Sequence, residues 1–325
     1  MKGNHFFYGF LLLMAAHHCN AQVIDNTSSF KNSEGNQYIR LDYDNDYFTK
    51  ADEYYTQGVT LELAHPAFKH FILSKLLLKP KNTDVIYGLR LDAYGYTPTS
   101  IDSGYILKGD RPYSANISLG TFATAVDTVK CQTIATTFII GLMGPADGGE
   151  LFQKYIHQVT GNSLPQGWQY QIQNDLILDY QINYEKELLT YQNMFLLNAT
   201  SMLRVGTHND KLSAGFNCMV GNFNDRYRSV ATTKADHRKI QYYLYAQVLG
   251  SVIGYDATLE GGLFNKSSVY TISPNDISRF TFQADAGIVV SYKRVYAEYS
   301  QAVLTKEFNT GYYHRWGGLR IGLTL

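Results

Sequence analysis

Apolar and polar residues alternate one for one over many stretches of this chain. Ile39, Leu41 and Tyr43 interleave with Arg40, Asp42 and Asp44; Val59, Leu61 and Leu63 with Thr60 and Glu62; Phe282, Ala284, Ala286 and Ile288 with Gln283, Asp285 and Gly287. A period of two is that of a β-strand whose two faces meet different surroundings. The pattern predicts twelve strands, at about 37–47, 55–64, 85–93, 113–119, 129–142, 176–184, 194–205, 211–221, 240–255, 280–290, 294–304 and 312–325. At 144–161 the alternation gives way to a helical period. There Asp147 and Glu150 read as a capping box and Gly161 as a left-handed stop, while Gln153 and His157, four apart, share one face.

The polar face of the strands decides the class. Arg40, Asp42, Glu62, Arg90, Asp92, Asp179, Asp285 and Arg320 all belong to it. Alternation alone also suits a two-sheet sandwich. Twelve long strands, the last running to Leu325, instead favour an all-β fold: a twelve-stranded antiparallel transmembrane β-barrel with a short helix in an extracellular loop. Its apolar residues would meet lipid and its polar ones line the lumen. Composition agrees, since the 27 tyrosines suit strands and membrane interfaces, and Pro is scarce at 7. The 28 basic and 28 acidic residues balance, which offers no basic surface for nucleic acid.

Lys2, the apolar run 6–16 and Cys19-Asn20-Ala21 read as a secretory signal cleaved after Ala21. The chain then divides into a signal peptide, 1–21, and one barrel domain, 22–325. Cys19 as a lipoprotein cysteine is the alternative, and Ala16-His17-His18 before it fits that poorly. Beyond the signal no apolar run is long enough for a transmembrane helix. Cys131 and Cys218 fall on strands that are not neighbours, so unpaired thiols are expected.

With the N-terminus on the periplasmic side, the links between strands one and two, three and four, and five and six lie outside the cell. The helix belongs to the last of these. The other two carry Asn45-Asp46 with Tyr55-Thr56, and Lys108-Gly109-Asp110-Arg111-Pro112-Tyr113. Three polar motifs, distant in sequence, thus converge on one rim, and Asn45, Asp46, Thr56, Gln153 and His157 form the candidate catalytic set. Asp46 and Thr56 extend the inward rows of strands one and two across a hairpin. Carboxylate, hydroxyl, carbonyl and amide oxygens suit calcium rather than zinc. His157 is then available as a general base, and a calcium ion facing an ester carbonyl would stabilise the oxyanion. The assembly is a water-activating esterase without a serine nucleophile. Each motif alone has a plainer reading: Asn-Asp as a turn, a helical His as structural, Gly-Asp-Arg-Pro as a loop-ordering salt bridge through Asp110.

In their order these motifs resemble the LpxR family of outer-membrane lipid A 3'-O-deacylases. The matching residues are Asn45-Asp46, Tyr55-Thr56-Gln57-Gly58, Lys108-Gly109-Asp110-Arg111 with Ser114-Ala115, and Gly144-Pro145-Ala146-Asp147-Gly148-Gly149. Gln153, His157, Gly161, Trp168-Gln169 and Gln171-Ile172 continue the series. The resemblance covers nearly the whole mature chain. It implies a monomer embedded in the Gram-negative outer membrane, acting on lipid A or lipopolysaccharide in the outer leaflet, with its active site between the barrel wall and the loop helix. It implies a calcium-dependent mechanism in which His157 activates water and the ion polarises the ester carbonyl. Residue by residue, Asn45, Asp46, Thr56, Gln153 and His157 fall on the family's active-site positions, and Asp46, Thr56 and Ser163 are the expected metal ligands. The family pattern can carry an acidic residue where Ser163 stands, two places after the Gly that ends the helix, so Glu150 or Asp175 is a candidate to complete the site. Two other readings stay open. One is a non-catalytic barrel, pore or structural. The other is an outer-membrane phospholipase pairing Ser with His, for which no serine motif lies beside a histidine.

Overall fold

The computed structural model describes residues 35–49, 54–224, 227 and 240–325. The expected signal segment, 1–21, with Cys19, lies outside them. The twelve expected strands are present: β1 (Tyr38–Asn45), β2 (Tyr54–Ala64), β3 (Asp84–Thr97), β4 (Ser114–Asp127), β5 (Gln132–Met143), β6 (Asp175–Tyr191), β7 (Phe195–Gly206), β8 (Asn209–Asn222), β9 (Gln241–Asp256), β10 (Phe280–Tyr292), β11 (Val295–Leu304) and β12 (His314–Thr324). Each pairs antiparallel with its neighbours in sequence. Strand β1 also pairs with β12, Tyr38 opposite Thr324 and Asn45 opposite Gly317, which closes the barrel and leaves no open edge.

The two faces separate as the alternation requires. Ile39, Leu41, Leu61, Leu91 and Leu119 point outward and are exposed, the surface that lipid covers. Arg40, Asp42, Glu62, Asp92 and Arg320 are buried in the lumen. That lumen is filled. Arg320 lies 3.1 Å from Asp42, 3.3 Å from Asp44 and 3.0 Å from Glu298; Arg90 lies 2.7 Å from Asp92, which also accepts from Thr60 at 2.7 Å. Buried charges of this kind persist only when paired and hydrogen-bonded. Tyr38, Ala64, Ile86, Phe122, Val126 and Tyr227 pack across one end of the interior, and Tyr54, Leu259, Ile272, Ile277 and Phe308 across the other. These two clusters narrow the interior at its ends.

The link from β5 to β6 holds the helix α1 (Gly149–Thr160), preceded by a 3-10 turn at Pro145–Asp147. Gly161 ends α1 in the left-handed conformation, φ 74°, as expected. The start differs from the expected capping box. Gly148, at φ 82°, is the cap, Asp147 Oδ1 accepts from the Gly149 N–H at 2.6 Å, and Glu150 pairs with Lys154 at 2.6 Å instead of reaching back. A left-handed Gly at the cap turns the chain too sharply for the box to form. Strand β6 also runs past its expected end to Tyr191, because a bulge between Glu187 and Leu189 breaks the alternation. Cys131 and Cys218 are free thiols, as expected. The rim carrying α1 holds the long links 98–113, 144–174 and 257–279, while β1 begins and β12 ends at the opposite rim; α1 is therefore extracellular.

Candidate active site

The site is built from a hairpin and a loop that folds over the barrel wall. At the hairpin, Asn45 Nδ2 donates to the Thr56 carbonyl at 2.8 Å and its Oδ1 accepts from the Tyr47 N–H at 2.8 Å. Both halves of the amide are engaged, so Asn45 orders the turn. Asp46 opens a 3-10 turn, Asp46–Thr49, and is buried; Thr49 Oγ1 ties that turn to the carbonyls of Asp46 and Arg315 at 2.8 and 3.0 Å. The expectation that Asp46 and Thr56 continue the inward rows needs correction. Asp46 leaves the strand for the turn. In β2 the register slips between Tyr55 and Gln57. This bulge sends Tyr55 into the lumen, where its hydroxyl lies 3.3 Å from Asp44, and sets Thr56 beside Gln57 on the outer side. A Cβ added at Gly95 would meet both, Gln57 at 3.4 Å and Thr56 at 3.7 Å.

Backbone hydrogen bonds tie the loop to the top of β4 and to the link 98–113. Gly144 N–H donates to the Ala115 carbonyl at 3.0 Å, Ile172 N–H to that of Tyr113 at 2.9 Å and Gln166 N–H to that of Ile101 at 2.8 Å. Ala115 faces Gly95 across β3 and β4, on the outward row whose lower members Leu91, Ile117 and Leu119 are exposed. A Cβ at Gly149 would stand 2.3 Å from the Ala115 Cβ. Glycine at 149 thus lets α1 start in contact with the wall. Thr56, Gly95, Ala115 and the first turn of α1 follow one another along this outer surface, which brings the hairpin and helix motifs to the same side of the rim.

Helix α1 packs with its polar side inward. Gln153 and His157 are 1% and 9% exposed, whereas Leu151, Tyr155 and Val159 are 75%, 62% and 68% exposed. A helix on a water-soluble protein does the reverse. Trp168 Nε1 donates to Gln153 Oε1 at 2.7 Å. Indole only donates, so the amide oxygen must face it. The Gln153 NH2 then faces away, buried and with no hydrogen-bond partner among the described residues. His157 Nδ1 lies 2.6 Å from the Ser163 carbonyl oxygen. A carbonyl only accepts, so Nδ1 carries a proton, and in the neutral ring the lone pair is on Nε2.

Ser163 itself is exposed and meets the site through this backbone oxygen. The two candidate replacements are committed elsewhere. Glu150 holds Lys154, and Asp175 accepts from the N–H groups of Leu176, Phe264 and Asn265 at 2.7, 2.8 and 3.1 Å. Among the described residues no group of three or more His, Cys, Asp or Glu is placed to hold a metal. Of the expected ligands, the Asp46 carboxylate and the Thr56 hydroxyl are hard oxygens of the kind that would suit calcium. Burial pushes the Asp147 carboxyl up to about 6, against the pull of its backbone hydrogen bonds.

The Lys-Gly-Asp-Arg motif serves the loops. Asp110 accepts from the N–H and Oγ1 of Thr99 at 2.9 and 2.6 Å, while the fully buried Arg111 pairs with Glu307, donates to Thr258 Oγ1 at 2.7 Å and stacks 4.1 Å over the Tyr96 ring. Burial pushes Glu307 up to about 7, with Arg111 pulling the other way. Thr258 and Glu307 lie 147 and 196 positions from Arg111, and nothing local points to them. Trp168 was legible as a motif member, but its hold on Gln153 was not.

Fold and site together define a class: an integral outer-membrane β-barrel with a loop helix laid against the outside of its wall and a polar pair buried between them. The chain belongs to the family described as outer membrane protein LpxR, whose model matches residues 6–325. Among solved structures it is similar in fold to LpxR from Salmonella typhimurium, at 19% identity and a TM-score of 0.72, covering 89% of this chain and 100% of that one. Two more distant barrels are the β domain of the Bordetella autotransporter BrkA, at 9% identity, 89% and 97% coverage and a TM-score of 0.44, and the KdgM porin, at 6%, 89% and 99%, and 0.39. A comparison with curated proteins gives no match.

Proposed function

We propose that this protein hydrolyses an ester-linked acyl chain of lipid A, the 3'-O chain, in the outer leaflet of the outer membrane. The observation that carries this reading is the inverted helix. With Gln153 and His157 turned to the wall and Leu151, Tyr155 and Val159 turned away from it, α1 suits a substrate whose ester lies at the edge of a hydrocarbon layer. Acyl chains run along the apolar side while the ester reaches the polar one. Family membership supports the same assignment.

In the reaction His157 Nε2 takes a proton from water as the water oxygen attacks the ester carbonyl carbon. The Gln153 NH2 donates to the carbonyl oxygen as its negative charge develops. The carbon–oxygen bond to the sugar then breaks, and the proton held on Nε2 passes to the departing oxygen. A free fatty acid and a sugar hydroxyl result. Ser163, through its carbonyl, and Trp168, through its indole, position the two acting side chains. Calcium held by Asp46 and Thr56 would, when bound, add positive charge beside the ester carbonyl.

The test is mass spectrometry of lipid A from cells expressing the protein, with His157→Ala as control. Lipid A one acyl chain lighter, reverting with His157→Ala and with a calcium chelator, supports the reading. Unchanged lipid A with the wild-type barrel folded refutes it. Labelled phospholipid offered beside lipid A separates the phospholipase alternative.

A further inference from the structure

The link from β2 to β3, at the rim opposite α1, has no part in the chemistry above. It forms two short 3-10 turns, Pro66–His70 and Ile72–Leu76, and lies on the outside of the barrel. The Tyr180 hydroxyl, on the outward row of β6, donates to the Leu76 carbonyl at 2.9 Å, and His65 N–H donates to the Tyr87 carbonyl at 3.0 Å. The wall beneath it is adapted to be covered. The outward rows of β4 and β5 carry exposed Ile117, Leu119, Ile140 and Leu142 towards the α1 rim, then change to buried Ala123, Ala125 and Thr136. Small residues there leave room for the link, which buries Ser74 and Leu77.

The other side of the link is apolar and basic together. Ile72 is 74% and Leu76 54% exposed, continuous with the surface that lipid already covers. From His65 to Thr83 there is no acidic residue, while Lys69, Lys75, Lys79 and Lys81 occur within it, in a chain of zero net charge. Lys79 is anchored to the Ser74 carbonyl at 2.6 Å; Lys69, Lys75 and Lys81 are exposed. Apolar side chains beside lysines, held at the edge of a bilayer, are the pattern of an interfacial membrane-binding segment.

We propose that residues 66–81 form a site for anionic phospholipid of the periplasmic leaflet, with Ile72 and Leu76 among the acyl chains and Lys69, Lys75 and Lys81 on the headgroup phosphates. Each lysine adds attraction that a zwitterionic headgroup does not return in full. The segment would then fix the depth of the barrel, and so the height at which α1 meets the opposite leaflet.

The experiment uses the full-length protein in vesicles of phosphatidylcholine, with or without phosphatidylglycerol. Ile72→Trp serves as reporter, since Trp168 and Trp316 are buried. Bromines placed near the headgroup should quench it, more strongly with phosphatidylglycerol present. Native mass spectrometry of detergent-solubilised barrels should retain phosphatidylglycerol. The Lys69→Gln, Lys75→Gln, Lys81→Gln triple variant should lose that retention at least about tenfold, and the matching triple arginine variant should keep it. Heat-modified gel mobility reports folding of each. An unquenched Ile72→Trp in folded barrels, equal retention of the two phospholipids, preference for lipopolysaccharide, or full retention by the glutamine variant would each overturn the proposal.

Discussion

Replacing Trp168 by Phe tests the geometry of the site without touching an acting group. The ring of Trp168 packs at a tilt of 49° against Tyr113 with centroids 4.9 Å apart, and Phe keeps most of that contact. What it loses is the 2.7 Å bond from Nε1 to Gln153 Oε1, between two side chains each 1% exposed. A buried amide oxygen left without a donor costs about 1–3 kcal/mol. The bond that turns the amide NH2 away from Trp168 is then lost, and in the proposed reaction a flipped amide would present an oxygen to the developing oxyanion. If that loss falls on the reacting geometry, about 1.4 kcal/mol per factor of ten gives a fall in kcat of roughly ten- to a hundredfold, with KM little changed. The assay is acyl release from lipid A by the purified, folded variant, with Gln153→Ala beside it. The reasoning fails if Trp168→Phe stays within about twofold of wild type while Gln153→Ala is inactive.

Three further outcomes follow from the same contacts. Ser163→Ala keeps the carbonyl that holds His157 and should leave the rate, with and without added calcium, within about twofold of wild type; a loss that extra calcium restores would make the hydroxyl a ligand instead. Gly149→Ala forces a Cβ to 2.3 Å from that of Ala115 and should loosen α1 by about 1–3 kcal/mol, seen as faster proteolysis within 144–174, with Ala115→Gly in the same chain restoring it. Asp147, with its carboxyl raised to about 6 and above its unfolded value, adds stability to the loop that is complete below about pH 4 and is lost as pH rises through 6. Asp147→Asn should therefore protect 144–161 from hydrogen exchange by roughly 1 kcal/mol more than wild type at pH 7, with no difference below pH 4, since solvent around the partly exposed carboxyl limits the gain.

The barrel was readable because one face of each strand is charged and the other apolar, a contrast that a period of two records directly. It failed where the phase slips. The Tyr55/Gln57 bulge exchanges the faces of Tyr55 and Thr56, so the inward placement of Thr56 read from Thr60 and Gly58 was wrong by half a pleat. The Glu187/Leu189 bulge likewise hid the end of β6. In the helix the shared face of Gln153 and His157 followed from their spacing, but a period of 3.6 gives the grouping and not the direction. That the polar side is the buried one depends on Ala115 and Gly149, which bring α1 to the wall, and on lipid outside it. Ser163 was found by position and read by side chain, whereas its contribution is a backbone carbonyl, which no residue type encodes.

These corrections bear on where a substrate can go. Arg320 with Asp42, Asp44 and Glu298 fills the middle of the lumen, Phe308 and Leu259 pack across the extracellular mouth, and the Arg111–Glu307 pair ties the loops above it. Paired buried charges make that interior a poor environment for acyl chains. The bulge at Thr56, the turn at Asp46 and the glycine contact at Ala115 all move polar groups to the outer side of the wall instead, at the level where α1 turns its apolar stripe away from the protein. A soluble substrate would meet Leu151, Tyr155 and Val159 as an obstacle, and a lipid would meet them as solvent. If so, exchanging Leu151 and Tyr155 for serine should weaken capture of lipid A from a bilayer, raising KM about tenfold or more, while kcat on a short-chain ester dispersed in detergent is unmoved; equal losses on both substrates would mean that the stripe only holds the helix together.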